Sequence, residues 1–311
     1  MDLINEKALD AYVKNVTLKQ LLIVPAIMLL LSLSILAYST ITKQAPVELG
    51  MEFKGGTAII FDSNKTPDQL REEFKDYPLL QAREYGGGER KLLQFRPMKE
   101  SDQNAVIQKM NSEYRNVEIR QMGEVVSKSL QGDALKAILF SFLGMAIVVF
   151  IIFRTFVPSI AVVISAFADI VFAMAMMNIF GIVLSFGTLA ALLMLIGYSV
   201  DTDILLTTRL LKRKGEVQDK LREAMKTGLT MTLTTLAALV ALFFVSSGSS
   251  LISSFTRIDI IRDISIVLIF GLIGDIINTW MTNVGILRWY MEKQRRPAAP
   301  VEKSKKKRQA A

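Results

Sequence analysis

The chain has 311 residues, 51% of them hydrophobic, and a formal charge of +8. That balance excludes a disordered chain and argues against a simple soluble enzyme. There is no Cys and no His, so disulfides, thiolate metal sites and thiol nucleophiles are excluded, together with the usual imidazole base, metal ligand and near-neutral proton relay.

Residues 1–17 are polar and mixed in charge, with Lys7, Lys14 and Lys19 near the first apolar run. That run, 18–38, exceeds the roughly 7–15 residues of a signal-peptide core. No clean small-residue cleavage site closes it. A retained first membrane helix over 18–40 is expected, preceded by a cytoplasmic segment.

Residues 41–130 carry a soluble-type pattern. The stretch 57–61 reads as a strand. Thr66-Pro67-Asp68-Gln69 reads as a helix start, with Thr66 as cap, Pro67 at the first helical position and Gln69 closing a capping box. That helix runs to about Tyr77. Strands at 81–85 and 91–96 flank Gly86-Gly87-Gly88, a hairpin turn. Ser101-Asp102 opens a second helix to about Tyr114, and 117–122 alternates as a half-buried strand does. The order β-α-β-β-α-β predicts a ferredoxin-like domain.

Five more apolar runs follow, near 134–153, 157–179, 185–208, 227–247 and 263–288. Each is about 20 residues or longer, enough for roughly 30 Å of hydrocarbon. The expected fold is therefore an α-helical polytopic membrane protein with six transmembrane helices, the ferredoxin-like domain lying between the first and second. Basic residues mark one side: Arg154, the loop at 209–226, and the segment after Arg288. The other side offers only Arg257 and Arg262 against Asp259 and Asp263. The positive-inside rule places both termini in the cytoplasm and the 41–130 domain outside, in a multi-pass cell-membrane protein. Residues 131–290 form the remaining membrane part, and 291–311 a basic, disordered cytoplasmic tail.

Four acids interrupt the apolar runs: Asp169, Asp201, Asp203 and Asp275. An ionisable group inside a membrane costs roughly 2.5–3.5 kcal/mol on insertion scales, so each is a functional candidate. Asp201 and Asp203 are two apart and point to different faces of a regular helix. One then faces the bundle and the other a neighbouring subunit, or Gly197 and Ser199 loosen the helix and admit water. Asp275, Asn278, Thr279 and Thr282 share one helix face, as do Ser165 with Asp169, and Thr227, Thr230 and Thr234 beside Lys226. The pattern predicts polar stripes meeting around a hydrated interior, with the acids as proton exchangers. Ser199, Thr202, Lys226, Thr230, Thr234, Asn278 and Arg209 are the expected polar support. The plainer alternative is that the acids only hold helices together, paired with Lys226, Arg209 or threonine hydroxyls.

Lys303 to Arg308 holds five basic residues in six, and a solvated tail is the preferred reading over lipid or RNA docking. Gly55-Gly56 lacks the Lys-Ser/Thr of a phosphate loop and reads as a turn opening the first strand. No metal site, cofactor or specific nucleic-acid contact is expected.

Three stretches together resemble the SecF family, the smaller half of the SecD–SecF protein-export complex in the resistance–nodulation–division superfamily. Gly50-Met51-Glu52-Phe53-Lys54-Gly55-Gly56-Thr57 is similar to the family's G-[IM]-[DE]-F-x-G-G-T signature. The stretch from Gly123 to Leu130, with Phe153-Arg154 beyond the next helix, is similar to the family's entry into its second helix and the turn after it. Gly197-Tyr198-Ser199-Val200-Asp201-Thr202-Asp203 with Arg209 resembles the fourth-helix motif G-Y-S-[IL]-N-D-[TS] and its late Arg. Departures point to an archaeal-type member. Thr202 stands where the family's Asp does, flanked by two acids. Ala168 replaces the bacterial His before Asp169. Lys226-Thr227 occupies the region of a bacterial Arg, and Asp275 has no bacterial counterpart.

The resemblance implies a non-enzymatic subunit that pairs with SecD beside the SecYE translocon and handles emerging polypeptide. A proton or sodium gradient is implied to move its outside domain. Two alternatives stay open: a superfamily transporter subunit for lipid or small hydrophobic solutes, and a translocon assembly factor without coupling. The short connections between the later helices disfavour the first.

Overall fold

The computed structural model describes residues 6–85, 90–247 and 259–295. The Gly86-Gly87-Gly88 turn, Arg257 and residues 296–311 of the basic tail lie outside the described residues; residues 291–295, expected to open a disordered tail, are instead the last turn of a helix that ends at Arg295.

Helix α1 spans Glu6–Asn15 and α2 spans Leu18–Lys43. Thr17 between them caps α2: its hydroxyl accepts from the Gln20 amide, and the Gln20 side chain accepts from the Thr17 amide. The α1 helix lies within the polar segment 1–17, for which the sequence suggests no element. Its apolar residues are too few to stand out by composition. Leu9 and Val13 fall on one face, and that face is buried on the bundle.

The short α3 (Met51–Lys54) lies inside the glycine-rich signature. Gly55 and Gly56 then take positive φ values of 76° and 119°, a conformation that favours glycine. They open β1 (Gly56–Asp62). At Gly56 an added Cβ would lie 2.2 Å from the Phe95 carbonyl oxygen, so the neighbouring strand leaves room only for glycine. The elements α4 (Pro67–Glu73), β2 (Leu79–Tyr85), β3 (Arg90–Phe95), α5 (Glu100–Glu113) and β4 (Arg115–Met122) follow. The sheet order is β2-β3-β1-β4, with every pairing antiparallel. Thr66 and Gln69 form both bonds of the capping box, with Pro67 at the helix start. Ile59, Phe61, Leu93 and Phe95 face Leu70, Phe74, Val106 and Met110 of the two helices and make the core of this unit.

The remaining helices are α6 (Glu124–Phe153), α7 (Phe156–Phe180), α8 (Phe186–Lys212), α9 (Val217–Ser246) and α10 (Asp259–Ile277). A π-helical turn, Asn278–Asn283, joins α10 to α11 (Val284–Arg295). Helices α2, α6, α7, α8 and α9 are long and apolar enough to cross a membrane. Helix α6 begins at Glu124, well before the apolar run that marks it in the sequence. Helix α8 is unbroken through Gly197 and Ser199, so those residues do not loosen it. The irregular backbone is instead the π turn.

Helix α7 is the most enclosed of the five, and α10 packs on α7, α8 and α9. Glycines permit the close approach. A Cβ at Gly271 would fall 2.3 Å from Leu195, and one at Gly274 would fall 2.9 Å from Phe172. Small residues at membrane-helix contacts let backbones approach in this way. Two apolar cores result. One, nearer the sheet unit, includes Val47, Val171, Leu195 and Leu268. The other includes Leu9, Leu21, Leu206, Leu210, Trp280 and Leu287. Asp203 lies on α8 between Leu195 and Leu206, and Asp275 on α10 between Leu268 and Trp280. Both acids therefore sit between the two cores.

Candidate functional site

Asp169 sits near the middle of α7, Asp203 in the second half of α8 and Asp275 near the end of α10. All three are 0% exposed. Asp169 accepts from the Ser199 hydroxyl on α8 at 2.5 Å and from Asn278 Nδ2 at 2.7 Å. Asp203 Oδ1 accepts from Asn283 Nδ2 at 2.8 Å. Thr279 Oγ1 lies 2.7 Å from that same oxygen and 2.9 Å from Asp275 Oδ1. Thus α7, α8 and the π turn meet in one polar layer, built from side chains of all three.

The π turn decides the geometry. Residues five apart in a regular α-helix stand about 140° apart around the axis. In a π turn the i→i+5 hydrogen bond stacks them. The Val284 amide bonds to the Thr279 carbonyl in this manner. Asn278 and Asn283, five apart, can then both face α7 and α8, one on Asp169 and the other on Asp203. Asn283 is the participant the sequence reading leaves out: eight residues after Asp275 it lies at the edge of the α-helical face, about 80° from that acid and about 140° from Asn278. Thr282 of that face makes only a long contact with Asn278, at 3.5 Å.

Thr279 carries one hydroxyl proton and faces two carboxyl oxygens. A hydroxyl donates one hydrogen bond and accepts others. It cannot donate to Asp203 and Asp275 together. Both contacts are satisfied when one of the two acids is protonated and donates to the threonine oxygen. The second oxygens of Asp203 and Asp275, the Ser165 hydroxyl and Asn283 Oδ1 are buried without a hydrogen-bond partner among the described residues. The two second carboxyl oxygens and Asn283 Oδ1 are spare acceptors, the Ser165 hydroxyl is a spare donor beside Asp203, and a proton on Asp203 or Asp275 lets Thr279 bond to both acids.

The other expected residues lie elsewhere. Asp201 is exposed on the outer face of α8, beside exposed Gly197 and Tyr198. Thr202 is buried and faces Gly228 on α9. The Thr230 hydroxyl donates to the Lys226 carbonyl, and the Thr234 and Thr227 hydroxyls donate to carbonyls of their own helix. The α9 threonines therefore satisfy backbone and do not reach the acids, the usual behaviour of hydroxyls inside a helix. Arg209 donates to the Glu223 carbonyl, tying α8 to α9 beyond the acid layer.

The signature stretch forms a second constellation. The Gly50 amide donates to the Leu184 carbonyl and the Leu184 amide to the Glu48 carbonyl, each at 2.7 Å. A Cβ at Gly50 would lie 2.8 Å from the Leu184 oxygen. Phe53, 1% exposed, meets Phe186 edge to face at 5.5 Å, and Gln131 donates to its carbonyl. Glu52 is half-buried in α3, and Thr57 on β1 accepts from Gln103 of α5. The start of α8 is thus bolted to the segment that leads into the sheet.

A family model described as "Protein export membrane protein SecD/SecF, C-terminal" matches residues 102–293. The chain is 47% identical over 276 residues to the protein-export membrane protein SecF of Methanolacinia petrolearia, covering 88% of this chain and 94% of that protein. It is 39% identical to the protein of the same name from Pyrococcus furiosus, over 89% of this chain and 92% of the relative. Among solved structures it is similar to SecDF, a translocon-associated membrane protein from Thermus thermophilus, with a TM-score of 0.67 at 18% identity. That similarity covers 88% of this chain but only 38% of the other. It is a likeness of fold.

Proposed function

The chain belongs to the SecF family of protein-export membrane proteins, and from that premise we propose that it couples a proton gradient to movement of its small domain during polypeptide export. The observation that carries this reading is Thr279 set between Asp203 and Asp275 in a polar layer buried between two apolar cores. One proton changes which hydrogen bonds are possible there, and so which packing of α8 against α10 is favoured. Helix α8 starts at Phe186, which packs against Phe53 and gives a short mechanical path to the sheet unit.

The membrane topology follows on the same reading. α10, the π turn and α11 act as a sixth span beside the five apolar helices. Residues 41–130 lie outside as a ferredoxin-like domain, supported by the β-α-β-β-α-β order and the β2-β3-β1-β4 sheet. Residues 6–15 and 284–295 lie on the cytoplasmic side with the basic 209–226 loop. A SecD companion is supported by the family and by the likeness to a larger SecDF chain, of which this chain spans 38%. An acid cannot face lipid cheaply, so exposed Asp201, with Tyr198 and Gly197, is the face we assign to that companion. SecYE and the emerging polypeptide complete the assembly.

The test replaces Asp169, Asp203 and Asp275 singly by Asn and measures reporter secretion with and without an uncoupler at equal protein level. The expected result is loss of the gradient-dependent part with basal export retained. Full gradient-dependent export in all three variants would leave the assembly-factor reading in its place. Dependence on sodium alone would contradict the proton assignment.

A further inference from the structure

The π turn is held from outside the acid layer. The Tyr12 hydroxyl of α1 donates to the carbonyl of Trp280 at 2.9 Å. Trp280 lies inside the turn, between Thr279, which bridges two acids, and Asn283, which holds one of them. A π turn widens the backbone and leaves its carbonyls poorly served by the regular ladder. A side-chain donor from another helix compensates that loss at this position. Burial pushes the Tyr12 phenol above its ordinary range, with the Arg288 charge acting against this, so the hydroxyl stays a donor at neutral pH.

Helix α1 is held at its middle and at its C-terminal end for this contact. Arg288, on α11, donates to the Val13 carbonyl at 2.9 Å and to the Val16 carbonyl at 3.4 Å, serving the free carbonyls at the end of α1. Arg222 on α9 pairs with Asp10 at 3.4 Å. Leu9 and Val13 are buried in the same core as Trp280 and Leu287. The Trp280 ring in turn presses on α9 at Gly228, where a Cβ would lie 2.5 Å from the indole. One short helix therefore touches α9, α11 and the turn that carries the polar residues.

We propose that α1 is a clasp on the π turn and that Tyr12 is a positioning residue for the acid layer. While the clasp is closed, Asn278 and Asn283 share a face and reach Asp169 and Asp203. When it opens, the turn relaxes to α-helical spacing, and Asn283 and Asn278 separate around the axis. Asp203 then loses a donor. This inference rests on the proposed coupling for its functional meaning, but the clasp itself is a statement about the backbone at 278–284.

The experiment compares wild type, Tyr12→Phe and Arg288→Gln in the purified full-length protein by amide hydrogen exchange. Tyr12→Phe removes one hydroxyl and keeps the ring in the core. Exchange at 279–284 is expected to speed up about fivefold, the effect of one lost net hydrogen bond, with the sheet unit unchanged. Arg288→Gln is expected to act in the same direction. In secretion assays Tyr12→Phe is expected to reduce gradient-dependent export more than basal export. Unchanged exchange at 279–284 in both variants would overturn the clasp. Faster exchange with normal gradient dependence would keep the clasp but overturn its positioning role, whatever the Asp variants show.

Discussion

At the scale of single residues, Thr279 is the hinge of the account. Its hydroxyl touches two acids on different helices, so Thr279→Val, close in shape, leaves both carboxyl oxygens without that partner. A buried polar group left unsatisfied costs about 1–3 kcal/mol, and a loss of that size is expected in unfolding of the detergent-solubilised protein. Thr279→Ser is expected to keep most of the stability. Equal stability of the Val variant would show that the threonine bridge is not formed. The acids themselves were legible in the sequence, because a carboxylate in an apolar run stands out. Their sorting was not. Asp201 and Asp203 read alike at two-residue spacing, and only the packing separates the buried Asp203 from the exposed Asp201.

At the scale of elements, the apolar runs and the capping box at Thr66 could be read directly, because chain length across a bilayer and helix-end hydrogen bonding are local rules. The π turn could not be read, since it arises where α10 must satisfy α7 and α8 together. Helix α1 was hidden by its short length, and α3 by the glycines around it. The α9 threonines misled, because a hydroxyl in a helix can bond its own backbone as easily as a neighbour. The turn also explains Gly228, which has nothing unusual in its sequence context. Gly228→Ala would place a methyl against a rigid indole and against Thr202, where the added Cβ lies 3.3 Å from Thr202 Cγ2. Overpacking of this kind costs about 1–3 kcal/mol. Lower thermal stability is expected, together with faster amide exchange in the π turn. A variant as stable as wild type would mean that α9 yields easily at this contact.

At the scale of the whole molecule, the chain reads as half of a larger assembly. Helices α6 and α9 keep most of their apolar surface uncovered, and α8 shows an acid on its outer face. Asp201→Leu is expected to weaken co-purification with the companion subunit by roughly tenfold, while the isolated chain keeps its stability. Hydrogen bonds to charged groups across an interface carry a coupling of about that size. Undiminished co-purification would place the companion on another face. The joint at Gly50, Leu184, Phe53 and Phe186 ties the sheet unit to α8, and on the proposed function a shift of α8 relative to α10 is passed through it to that unit. The most direct measurement of the central claim is proton entry into vesicles carrying the purified complex, followed with a trapped pH-sensitive dye under an imposed gradient. The account predicts that Asp203→Asn abolishes the complex-dependent flux while replacement of Asp133, an exposed acid on α6, leaves it intact. Wild-type flux through an intact Asp203→Asn complex would contradict it.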